Sequence, residues 1–171
     1  MAAAIGLMAI VVAREFGAQE IVALDVNPGR LKFAEKLGAT KALNPGVTSY
    51  ADIAREINQG EGADVMLEYS GAAQSLQAAP QIARNGASLR LVGVPGADIS
   101  LGLESWVLKG FRIECIHGRK LHETWVLSHK LLPRVVSDLS TLVSHELPLQ
   151  DGPKGFELIE SGKAVEVVFR P

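Results

Sequence analysis

The chain has 171 residues, enough for one well-buried domain with a small appendage and short for an enzyme of two full domains. Hydrophobic residues make up 47% and aromatic ones only 5%, with 17 glycines, a balance that excludes a disordered chain and suits layered α/β packing. A formal net charge of −2, without a run of Lys or Arg, removes the electrostatic basis for a nucleic-acid or anionic-membrane partner.

In chain order, the first feature is an apolar run over 2–13 with no basic region ahead of it. It is too short to span a bilayer, so a soluble cytoplasmic protein is expected. Residues 7–13 (LMAIVVA) are ambiguous between helix and strand, with the helix favoured. Residues 21–26 (IVALDV) read as a buried strand; Asn27 then caps a helix with Pro28 at its first position, and Gly38 ends it. A brief strand and turn over 42–45 leads to an amphipathic helix over 49–59, closed by Gly60.

The next segments are a strand at 63–69 (ADVMLEY), a helix at 73–83, a strand at 88–94 (SLRLVGV), a helical turn at 106–109 and a strand at 111–117 (FRIECIH). Helical spacing over 123–137 contains Pro133, which is expected to bend or divide the helix. A strand at 142–147, a helix at 153–161 and a strand at 164–169 complete the chain. Strands alternating with helices predict an α/β fold on a parallel sheet.

Chemistry-bearing residues are sparse. Cys115 is alone, so neither an internal disulfide nor a multi-cysteine zinc site can form within the chain. His117, His122, His129 and His145 show no metal-binding pair, and no zinc is expected. Gly6 and Asp25 stand about as far apart as the last glycine of a dinucleotide fingerprint and the acid that meets the adenosine ribose, about twenty residues. A carboxylate at a strand end either caps the turn that follows or accepts hydrogen bonds from both ribose hydroxyls and repels a 2′-phosphate, and the second reading favours NAD over NADP.

Longer stretches carry a family resemblance. Ile5-Gly6-Leu7-Met8-Ala9, Asp25-Val26-Asn27, Arg30-Leu31, Ala34 and Leu37-Gly38-Ala39 keep order and spacing with the zinc-type medium-chain alcohol dehydrogenases, which the chain resembles. Glu68-Tyr69-Ser70-Gly71 is similar to that family's E-x-S/T-G, and Leu91-Val92-Gly93-Val94-Pro95 to its turn beneath the nicotinamide. Lys109-Gly110, Gly118-Arg119, Glu123-Thr124-Trp125 and Ser161-Gly162-Lys163 resemble threonine and polyol dehydrogenases within it.

The resemblance implies a Rossmann-like doubly wound sheet over 1–140 and a short αβ tail over 141–171 that packs on a catalytic domain in relatives. It implies cofactor contacts at Gly6, Asp25, Arg30, Ser70, Gly71, Gly93, Val94 and Arg119. The family's first strand and first two fingerprint glycines have no counterpart, with Met1 and Ala3 standing where those glycines would be. The expected product is an NAD-binding half with weakened cofactor binding and no zinc catalysis of its own.

Loss of the central first strand would leave 21–26 and 63–69 each short of a hydrogen-bonding neighbour. They are expected to pair directly or to borrow a strand from another copy. In relatives the strand here at 111–117 pairs with its symmetry mate, which implies a homodimer. The alternatives are a non-enzymatic, self-associating remnant and, with no G-x-S-x-G elbow to support it, a repurposed hydrolase.

Overall fold

A computed structural model describes residues 3–118 and 120–171. The chain runs α1 (Ala3–Glu15), β1 (Val22–Leu24), α2 (Pro28–Lys36), β2 (Lys41–Leu43), α3 (Tyr50–Arg55), β3 (Ala63–Glu68), α4 (Ala73–Ile82) and β4 (Ala83–Leu91). It continues through α5 (Leu103–Lys109), β5 (Arg112–Cys115), α6 (Glu123–Ser140), β6 (Val143–Pro148), α7 (Gly152–Glu160) and β7 (Glu166–Arg170). Two compact units result, one of Leu43–Gly118 and the other of Ala3–Ala42 with residues 120–171.

In the second of these units the ambiguous run over 7–13 is helical, as expected. Leu7, Ile10 and Val11 recur at helical spacing on one buried face of α1 and pack with Ala34, Leu37, Leu131, Val135 and Leu142. A strand would have sent alternate members of that run to opposite faces. Asn27 caps α2: its side-chain oxygen accepts from the backbone N–H of Gly29 at 2.8 Å and of Arg30 at 3.2 Å. Gly38, at φ +104, takes the chain out of the helix in a conformation that favours glycine.

Pro133 neither divides α6 nor ends it; the helix is continuous over Glu123–Ser140. Proline removes the donor to the carbonyl of His129, and both residues lie on the exposed side of the helix, where water can replace that bond. Leu131 and Val135, one helical turn apart, hold the opposite side in the core. The C-terminal βαβ element pairs β6 with β7 in parallel, with His145 against Val167 and Leu147 against Phe169.

The other unit carries a parallel sheet in the order β3-β4-β5. Leu76 and Ala79 of α4, Leu89 of β4 and Trp106 of α5 form its core, and the Trp106 and Phe111 rings lie 5.1 Å apart. β4 begins at Ala83 rather than near 88, because Ala83 pairs with Ala63 across a register shift before Val65 meets Ser88. Helix α3 stops at Arg55, short of its expected end at 59: Asn58 and Gln59 have positive φ, and a 3-10 turn covers Asn58–Gly60. Helical spacing alone does not reveal that break, since Asn tolerates the left-handed region at low cost.

Direct pairing of β1 with β3 does not occur. β1 is hydrogen-bonded to β2 in a two-stranded sheet, and β3 to β4 in the three-stranded one. The α/β class and the parallel order stand. Among the described residues no helix is long and apolar enough to cross a membrane.

Candidate cofactor site

Asp25 follows β1 directly. Its Oδ1 accepts from the backbone N–H of Asn27 at 2.8 Å, and its Oδ2 lies 3.6 Å from Nη1 of Arg30. The Asp25 side chain is 29% exposed, and a carboxylate offers about four acceptor sites, so room remains for hydroxyl donors from outside. Beside it, Nε of Arg30 is buried without a hydrogen-bond acceptor. Such an orphaned donor costs about 1–3 kcal/mol and would be relieved by a ligand oxygen.

Asn27 links this turn to the C-terminal element. While its oxygen caps α2, its Nδ2 donates to the carbonyl of Gly162 at 3.3 Å. Gly162 has φ +69, and a Cβ there would stand 2.9 Å from Nδ2 of Asn27. Sequence reasoning missed this partnership; the only local signal was Gly162 within Ser161-Gly162-Lys163. Gly6 is half-buried within α1. Met1 and Arg119, both assigned roles from sequence, lie outside the described residues.

The β3-β4-β5 unit places Ser70, Gly71, Gly93 and Val94 just beyond β3 and β4. Glu68, only 7% exposed, ends β3 and joins these loops. Its Oε1 accepts from the Ser70 backbone N–H at 2.9 Å and from the Ser70 hydroxyl, and its Oε2 accepts from the Gly71 N–H at 2.8 Å. Its backbone carbonyl accepts from Val92 N–H at 2.8 Å and Gly93 N–H at 2.9 Å. The sequence showed Glu68 only as a letter of a motif.

The two glycines serve the close approach of these loops. Gly71 has φ +64, and a Cβ on it would stand 2.5 Å from the carbonyl oxygen of Val94. A Cβ on Gly93 would strike the backbone nitrogen of Gly71 and stand 2.7 Å from Oε2 of Glu68. The Val94 side chain is 80% exposed, and burial pushes the neighbouring Tyr69 phenol above its ordinary pKa, so it keeps its proton.

Two donor sets can be tested against this geometry. The open carboxylate rim of Asp25 suits the hydroxyls of a ribose, and the orphaned Arg30 Nε beside it lacks an acceptor. Zinc does not fit among the described residues, where no three His, Cys, Asp or Glu side chains converge to hold a metal ion.

Residues 4–133 match the family model described as zinc-binding dehydrogenase. An L-threonine 3-dehydrogenase of Shewanella sp. (strain ANA-3) is 35% identical over 96% of this chain and 48% of its own length. A solved alcohol dehydrogenase from Thermus sp. ATN1 is 34% identical with a TM-score of 0.88, covering 99% of this chain and 51% of that one. Another, from Thermotoga maritima, is 32% identical with a TM-score of 0.88 over 96% of this chain and 47% of that one. The chain thus spans about half the length of the relatives it matches.

Proposed function

Because the chain belongs to the zinc-binding dehydrogenase family, we propose that it is the NAD(H)-binding portion of an alcohol, threonine or polyol dehydrogenase. The observation that carries this reading is Asp25 at the end of β1, with a carboxylate still open to donors and Arg30 beside it. Asp25 receives the adenosine ribose hydroxyls, Arg30 offers its unpartnered Nε to the same end, and Gly6 lets α1 pack near it. The family resemblance assigns the loops with Ser70, Gly71, Gly93 and Val94 to the nicotinamide and Arg119 to the cofactor. When bound, the cofactor supplies a hydride acceptor for alcohol oxidation.

Residues 1–140 form the cofactor-binding part in this proposal, and 141–171 serve as the tail that packs on a catalytic domain. Cofactor binding is weak, because Met1 and Ala3 stand at fingerprint glycine positions. The protein acts in the cytoplasm. Calorimetric titration with NAD should give saturable heat, whereas absence of saturation up to millimolar ligand would refute the reading.

A second reading, a self-associating fragment, has its own support. β5 is last in the order β3-β4-β5, all four of its residues are exposed, and Ile113 is 50% exposed. An exposed strand at the end of a sheet is a template for pairing with another copy. Homodimerisation through 111–117 is compatible with NAD binding and does not need it.

A further inference from the structure

We propose that Glu68 is a positioning residue that sets the loops for the nicotinamide end of the cofactor; this rests on the cofactor reading above. A carboxylate taken out of water is costly unless its oxygens are satisfied, so a buried Glu is retained where its hydrogen bonds define a geometry. Glu68 is 7% exposed, and both of its oxygens are engaged by the turn that follows β3. Among the described residues no cation pairs with it. Among the described residues its side-chain oxygens are held by the Ser70 and Gly71 N–H groups and the Ser70 hydroxyl.

Through its main-chain oxygen the same residue holds Val92 and Gly93 in the loop after β4. The two loops meet where Gly71 abuts the Val94 carbonyl, with only 2.5 Å between that oxygen and a Cβ at position 71. Rotation of the Ser70-Gly71 peptide would therefore displace Val94. The carboxylate consumes the N–H donors of Ser70 and Gly71, so these do not remain free to bind an anion. What the turn presents instead is the exposed Val94, an apolar surface that suits the face of a ring better than a phosphate.

Substituting Glu68→Gln keeps the shape but places an NH2 group against a backbone or hydroxyl donor, which forces the turn to reorganise. NAD and ADP-ribose differ only by the nicotinamide, so their dissociation constants separate this effect from any change at Asp25. The wild-type chain should bind NAD more tightly than ADP-ribose, and Glu68→Gln should weaken NAD about ten-fold while leaving ADP-ribose unchanged. Ser70→Ala, which retains the buried carboxylate, should narrow the NAD to ADP-ribose difference and serves if Glu68→Gln does not fold.

Equal loss of both ligands in a folded Glu68→Gln chain would show a general structural role and overturn the proposal. Unchanged NAD binding would also overturn it, as would an unchanged ligand ratio in Ser70→Ala when Glu68→Gln is unfolded. A wild-type chain that binds ADP-ribose but does not prefer NAD overturns the positioning role alone. One that binds neither overturns the cofactor reading and the proposal with it.

Discussion

Asn27 and Gly162 are joined by a hydrogen bond across 135 positions of sequence, the Asn27 Nδ2 donating to the Gly162 carbonyl at 3.3 Å. One amide group thus starts α2 and secures the turn after α7. Gly162→Ala should destabilise the chain by about 1–2 kcal/mol, the cost of a left-handed conformation with a side chain, and Asn27→Ala by about 1 kcal/mol through loss of the cap. Urea unfolding of the two single variants and the double should show less than additive loss, because Asn27→Ala also removes the Nδ2 that a Cβ at position 162 would meet at 2.9 Å. Strict additivity would contradict it.

A pH prediction concerns Asp52. The Ser49 hydroxyl holds its carboxyl below the ordinary aspartate value, with Arg55 lowering it further, even though burial opposes the shift. A depressed folded pKa means that the contribution is present above the unfolded value and is lost as pH falls through the folded one. Carboxyl NMR titration should place the midpoint below that of an unstructured Asp, and Ser49→Ala should move it upward. An unmoved midpoint would contradict the assignment.

The local features of this fold were legible because their causes are local. Asn27-Pro28 announces α2 since the cap bonds to residues two and three positions away, and Gly38 ends it at positive φ. The fate of 7–13 was harder, because LMAIVVA suits either element until Ala34, Leu37, Leu131 and Val135 pack against one helical face. The pairing of β1 was not legible: strands meet through backbone N–H and C=O groups that nearly every residue carries, so the side chains of neither strand mark its neighbour. Asp25 could be nominated by its spacing from Gly6, but Glu68 could not, because nothing in its letter shows which three donors its carboxylate will accept. Gly162 was equally silent until Asn27 was found beside it.

The exposed strand at the end of the three-stranded sheet leads to an expectation for assembly. If copies associate through 111–117, Ile113→Lys places a charge on that strand and should turn a dimer into a monomer in light scattering. A wild-type chain that is already a monomer, or a variant that stays dimeric, would remove β5 as the interface.

Cofactor choice gives the sharpest test of the whole account, through the dissociation constants of NAD and NADP for the wild-type chain and for Asp25→Ala. The carboxylate at the end of β1 should make NAD the preferred ligand, and its removal should weaken NAD about ten-fold while reducing the discrimination against NADP. Equal affinity of both chains for NAD, with the preference over NADP intact, would contradict the assignment of Asp25 to the adenosine ribose.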